Sequence, residues 1–325
     1  MNRSPQQGLS LVELMVAVVL ASFIITGIVQ VVLSNRQAFN LTESMVRVQE
    51  SGRFTLNFIA DDLRQSGNYG CTPTFDAISQ NIQSFTANMP DINAIQTTAP
   101  AAFGNSADGA DGGASAFDAP DTLALLKLNQ NSATITAGVL SPSTLGISNE
   151  GSFATGDYVL VSNCEVADLI RLGSGTSNIQ MVDATGGLRY SFFVMQNKRS
   201  TINEIEHRIF TVNANSELEL AVNGARQVLL GSVENIQYKY GVDSDGDLVP
   251  DYFANIRDVP VASIDDIVAV KVSVLTVSGS QAEGDIEGVT SSPQTLTFND
   301  KTLTMADRRL RKVFETTVIL RNRMN

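Results

Sequence analysis

The sequence predicts an α+β protein in which a long N-terminal helix packs on a mainly antiparallel β globular domain. Three observations predict it. The run Leu14–Leu33 carries no charge, and no proline occurs between Pro5 and Pro73. That run passes directly into Leu41, Met45, Val48, Gly52, Leu56, Ile59 and Leu63, whose spacings of four and three place them on one helix face. Farther along the chain the period changes to two, as strands with one face toward a core require.

The apolar run is long enough, at about 1.5 Å per residue, to cross a hydrocarbon layer of roughly 30 Å. The stripe from Leu41 to Leu63 then offers an apolar face to the domain, and Gly67 is placed to end the helix. Gly27 and Gly52 are the positions at which this helix is expected to bend or melt locally. In the β part, Ile236, Tyr238, Tyr240 and Val242 alternate with Gln237, Lys239 and Gly241, and Val268, Val270, Val272 and Val274 alternate with Ala269, Lys271 and Ser273. Both read as half-buried strands. Further strands are expected at 122–128, 157–162, 168–172, 189–195, 205–212, 227–230, 295–298 and 313–320. The tract from Thr97 to Pro120, rich in Ala, Gly, Asp and Ser, reads as a long surface loop.

Composition narrows the function. A net charge of −12 over 325 residues, with no basic run that stands out as a footprint for nucleic acid, argues against it as a partner. One histidine and no tryptophan leave a single position for the commonest general base and exclude a multi-histidine metal site. No G-x-S-x-G, H-E-x-x-H or G-x-x-x-x-G-K-[ST] motif is present, so an enzyme is not expected. Cys71 and Cys164 are too far apart in sequence for a C-x-x-C pattern. They read as one structural disulfide or as two buried thiols, and an exported domain favours the disulfide.

The N-terminus is the sharpest signal. A secretory signal is cut after its apolar region, whereas here the small residue Gly8 precedes it, at the end of a polar leader whose only charge is Arg3. Glu13 lies inside the apolar segment, where an ionisable group costs a few kcal/mol unless it finds a partner. The segment Gly8–Leu20, GLSLVELMVAVVL, resembles the N-termini of type IV prepilins and type II secretion pseudopilins. That resemblance implies a prepilin peptidase that cuts after Gly8 and methylates the new amine on Leu9. It also implies that Glu13 serves assembly, its carboxylate meeting the N-terminal ammonium of a neighbouring subunit. Leu9 stands where Phe is commoner in that family, which implies slower methylation at most.

The expected organisation is a leader over 1–8, a membrane-spanning and then amphipathic pilin helix over 9–66, and a β-rich exported domain over 67–325. The segments 53–71, 156–165, 233–252, 267–279 and 308–323 are similar, in order, to the PilW class of minor pilins. This likeness implies a structural subunit of type IV pilus assembly and initiation, at or near the pilus tip. The implied partners are other minor pilins, the major pilin and a large tip adhesin. The implied location is the inner membrane before assembly and the pilus on the cell surface afterwards, with the globular domain periplasmic or extracellular. Two alternatives stand beside it: a minor pseudopilin of type II secretion, and a signal-anchored periplasmic calcium-binding protein that never polymerises.

Asp243, Asp245, Asp247 and Asp251 occupy the first, third, fifth and ninth places of a calcium-loop spacing, and oxygen ligands of this kind suit Ca²⁺. Leu248 replaces the glycine of such a loop and Ala254 its bidentate glutamate, so an acidic hairpin turn is the other reading. His207, flanked by charges, reads as solvated on an exposed strand face. The basic residues Arg308, Arg309, Arg311, Lys312, Arg321 and Arg323 read as strand flanks or as a contact with an acidic neighbouring subunit.

Overall fold

The computed structural model describes residues 11–66, 68, 78–80, 109–113, 116–140, 143–148, 153–163, 167–173, 179–181, 200–260, 263, 266–279, 290, 292–305, 307 and 309–323. Gly8, Leu9, Cys71 and Cys164 lie outside the described residues, as do Arg308 and the strand expected at 189–195.

Helix α1, Leu11–Gln65, is continuous. The strands follow as β1 (Ile78–Gln80), β2 (Leu123–Leu140), β3 (Ser143–Ile147), β4 (Tyr158–Ser162), β5 (Ala167–Arg171) and β6 (Ile179–Met181). Next come β7 (Thr201–Val212), β8 (Glu217–Val222), β9 (Ala225–Gly231), β10 (Val233–Val242) and β11 (Tyr252–Ala254). The last are β12 (Ile267–Val277), β13 (Thr295–Phe298), β14 (Lys301–Thr304) and β15 (Arg311–Ile319). One sheet has the order β1-β5-β4-β7-β2-β3-β6, with β8 and β9 added beside β7. A second has the order β11-β10-β12-β15, and β13–β14 form a separate hairpin. Apart from the parallel β1–β5 pair, every strand pair among the described residues is antiparallel. The fold is α+β, as the change of period predicts.

The second half of α1 lies along the second sheet. Val48, Gly52, Thr55, Ile59 and Leu63 are buried, whereas Met45 is exposed, so the stripe is covered only from Val48 onward. Ile59, Ala60 and Leu63 share one core with Ile236, Tyr238, Tyr240, Val270, Val272 and Val274 of the second sheet and with Leu123, Phe210 and Leu218 of the first. A smaller core of Ile135, Leu145, Val159, Val161, Ile170 and Ile202 lies within the first sheet.

Gly52 does not melt the helix, which runs unbroken through it. A Cβ there would lie 2.3 Å from the Phe314 ring, so the missing side chain lets β15 approach the helix closely. Gly67, expected to end the helix, lies outside the described residues. Asn322 Nδ2 donates to the carbonyls of Arg64 at 3.2 Å and Ser66 at 3.1 Å, so the far end of the chain satisfies orphan groups of the last turn.

β10 and β12 are buried on both faces rather than half-buried. The reason is a cover that crosses the outer face. Asn235 Nδ2 donates to the Asp118 carbonyl at 2.6 Å, and Gln237 Nε2 to the Ala119 carbonyl at 2.7 Å. Phe117 meets the buried ring of Phe298 edge-on at 5.4 Å. Thus the end of the Gly/Ala/Asp tract is a strap across the sheet, not a free surface loop. The strap is tight, since a Cβ on Gly109 would lie 1.8 Å from the Ala119 carbonyl oxygen.

β2 outruns its expected end at Leu128. An irregularity between Leu128 and Ser132 absorbs the polar Asn129–Asn131 and lets pairing with β7 resume. His207 is buried, at 4% exposure, on β7, which pairs with β2 on one side and with β4 and β8 on the other. Its charged neighbours in sequence do not mark an open face.

Candidate functional site

From Leu11 to Asn40 every residue of α1 is exposed, including Leu14, Phe23, Ile24, Ile28 and Phe39. Helical backbone bonds satisfy themselves, and the hydroxyls follow: Ser22 Oγ donates to the Val19 carbonyl at 2.7 Å, and Thr26 Oγ1 to the Ser22 carbonyl at 2.8 Å. The helical backbone and these two hydroxyls are satisfied within the helix, as an apolar medium requires, and Glu13 is the only charged group of the segment before Arg36.

The covered half of α1 is held by an ion cluster. Asp62, 4% exposed, meets Lys127 Nζ of β2 and Arg208 Nε of β7, each at 3.0 Å. The Arg208 guanidinium also lies over the Phe58 ring at 5.7 Å. Sequence reading missed this cluster, although its signal was present: Asp62 stands three positions after Ile59, on the side of the helix that the stripe buries. Neighbouring Asp61 pairs with Arg64 in the open.

Two of the carboxy-terminal basic residues, Arg309 and Arg311, are spent inside the fold. Arg311 is 6% exposed and bonds Glu234 through two nitrogens at 2.6 and 2.8 Å, and Asp307 at 2.9 Å. Burial alone would lower its pKa, but Asp307 and Glu234 hold it above the ordinary arginine range. Arg309 donates to the carbonyls of Ser278 and Gly279. An electrostatic contact between subunits is therefore not available to these two. Lys312, exposed, lies over the Phe314 ring.

Lys301 pins the strap, donating to Asp111 and Asp118 at 2.7 Å each and to the Gly113 carbonyl at 3.2 Å. Its hydrogen bond, with those from Gly113 and Asp118, lowers the Asp111 pKa from 3.8 to about 2. A carboxylate depressed in the fold stabilises it above its unfolded pKa, and that contribution fades as pH falls through the folded value. The strap should therefore loosen between about pH 4 and pH 2. Amide exchange over residues 109–119, corrected for intrinsic rates, should accelerate at pH 2.5 relative to pH 5. Equal protection at both values would contradict the pinning role.

The acidic turn joins β10 to β11. Asp243, Asp245 and Asp247 bring one carboxylate oxygen each to within 4.8 Å of one another. Asp243 is buried and accepts from the amides of Gly246 at 2.7 Å and Leu248 at 2.8 Å. Burial pushes its pKa up, but the amides of Leu248, Gly246, Asp245 and Asp247 hold it below the usual value. The Asp247 amide favours ionised Asp245, yet the carboxylates of Asp247, Asp251 and Asp243 outweigh it and raise the Asp245 pKa. Asp251 is not part of this cluster; it accepts from the Ser244 amide at 2.8 Å and from the Ser244 hydroxyl. Leu248 has φ +67°, in the left-handed region, and is 44% exposed.

The prokaryotic N-terminal methylation motif matches residues 3–29, and the family described as Type IV Pilus-assembly protein W matches residues 192–322. Together the two matches support a PilW-like type IV pilin. The second match begins just before β7 and runs through β15, so it takes in the acidic turn, the Arg311 cluster and the Arg208 side of the helix lock. No curated protein and no solved structure matches the chain. PilW-like pilins act in type IV pilus assembly, and the bare apolar half of α1 fits a membrane-anchored subunit.

Proposed function

We propose that this PilW-like pilin is a minor, non-catalytic subunit that helps initiate or cap the type IV pilus and sits at or near its tip. The observation that carries the reading is one continuous helix, bare from Leu11 to Asn40 and locked into a two-sheet body by Asp62. Such a helix has an apolar face to give to neighbours and a rigid joint through which the body is oriented. Cleavage after Gly8 and methylation of Leu9 would free the amine that Glu13 of a neighbour meets. Other minor pilins, the major pilin and a tip adhesin are the proposed partners. Before assembly the chain would sit in the inner membrane with its body on the periplasmic side. For a body of the size of 67–325, compact-domain scaling gives a radius of gyration of about 18 Å, bulky for a repeating lattice and freer at an end.

Deletion of the gene should reduce surface pili strongly and leave the cellular pool of major pilin unchanged. Quantitative immunoblots of sheared and cellular fractions measure both. Stoichiometry in sheared fibres comparable with the main subunit would overturn the minor-pilin reading.

A second reading concerns the acidic turn, which we propose takes up Ca²⁺. Three carboxylates within 4.8 Å, one of them with a raised pKa, repel one another, and a divalent cation relieves this. Asp243, Asp245 and Asp247 are the proposed ligands, and Asp251 holds the turn through Ser244. Millimolar calcium should raise the melting temperature of the wild-type chain, and Asp245→Ala should abolish the rise. A flat melting temperature across the titration would make the run a turn only.

A further inference from the structure

The β10–β11 hairpin carries an apolar patch that neither core uses. Val249 is 59% exposed, Leu248 44%, Tyr252 40% and Phe253 38%. Isolated exposed apolar residues are ordinary, but here four lie within six positions of one hairpin, next to the carboxylates of Asp245 and Asp247. Leu248 is held there in a left-handed conformation that L residues avoid, its amide fixed by the buried Asp243 carboxylate. Backbone strain maintained to present an exposed leucine calls for a function.

The topology says which end of the molecule this is. Phe314 of β15 faces Gly52, and Asn322 beyond β15 reaches Arg64 and Ser66, so β15 runs in the direction of α1. β12 is antiparallel to β15 and β10 antiparallel to β12, so β10 also runs with the helix. The hairpin after Val242 therefore projects from the end opposite the bare half of α1. In a subunit anchored by that half, this end faces outward.

We propose that the hairpin tip, Leu248, Val249, Tyr252 and Phe253 with Asp245 and Asp247, docks a pilus subunit lying farther out than this one, through a surface of apolar side chains beside lysine or arginine. The proposal rests on the assembly role given above and adds to it a site and the chemistry of the partner. Charge complementarity selects that chemistry, because the carboxylates of Asp243, Asp245, Asp247 and Asp251 outweigh one bound Ca²⁺ and leave the turn net negative, so that it repels an acidic surface and attracts a basic one. A second copy of this chain is a poor occupant, since at a net charge of −12 like would meet like.

A photoreactive residue at position 249 of the full chain, in cells that assemble pili, tests this. The expected result is an adduct with another pilus subunit, mapped to a segment containing lysine or arginine. It should survive chelation of calcium and fall at least tenfold when Asp245→Lys and Asp247→Lys are combined. An adduct between two copies, one undiminished by the charge reversal, one lost on chelation, or none at all overturns the proposal. A second probe at Phe39 reports assembly separately. Adducts with pilus subunits from Phe39 but not from 249 overturn the docking site alone, whereas their absence from both overturns the assembly role and the docking site with it.

Discussion

Glu13→Ala is expected to be cut after Gly8 and retained in the membrane, yet to be nearly absent from sheared fibres. Between Leu11 and Asn35, Glu13 is the only charged side chain of a largely apolar, fully exposed helical segment. An ionisable group inside a membrane helix costs about 2.5 to 3.5 kcal/mol on insertion scales unless it is paired. The partner proposed for it is the N-terminal ammonium of an adjoining subunit, which the alanine variant would leave uncompensated on entering the fibre. A deficit of that size corresponds to roughly a hundredfold loss of incorporation. Mass spectrometry of the mature N-terminus should find Leu9 first in both chains, and immunoblots should find the variant in membranes but not in sheared pili. Incorporation at the wild-type level would remove Glu13 from the assembly mechanism.

Asp62→Ala should be the most destabilising single truncation among the exposed and buried carboxylates of α1. It would leave Lys127 and Arg208, both largely buried, without their shared anion, Arg208 keeping only the Glu206 carboxylate, at 3.5 Å, among the described residues. Breaking a buried ion cluster by removing one member costs about 3 to 5 kcal/mol, since the remaining charges lose compensation in a low-dielectric setting. Asp61→Ala, one residue earlier, removes only an open pair with Arg64 and should cost under about 1 kcal/mol. Denaturation of the full chain in detergent, followed by circular dichroism, compares the two. Similar losses would mean that apolar packing of Ile59 and Leu63 holds the helix without help from the ion cluster. Loss of the lock should also free the angle between helix and body, so Asp62→Ala should reduce incorporation into fibres even when the chain is processed normally.

The helix and the better strands were legible because their information is local. A charge-free run, a stripe at spacings of three and four, and alternation along β10 and β12 each declare themselves within a few turns or pleats. β8, with Leu218 and Leu220 inward, carries the same local alternation although it is absent from the expected strands. The grouping of Asp243, Asp245 and Asp247 was equally local, because a turn brings together residues two apart; that Asp251 would serve Ser244 depended on how the hairpin closed. What the sequence by itself determined was thus the α+β class, the bare helix with its one carboxylate, and the composition of the turn. Only the tertiary structure decided that Gly52 makes room for Phe314, that Arg309 and Arg311 are spent within the fold, and that His207 is buried. It also decided that the end of the Gly-rich tract, from Gly109 to Gly113 and from Ala116 to Pro120, is a strap. The reason is distance along the chain: Asp111 and Lys301 are 190 positions apart and Asp62 and Lys127 are 65 apart. A charge looks the same in sequence whether it will face water or a partner, and only packing that excludes water makes the difference.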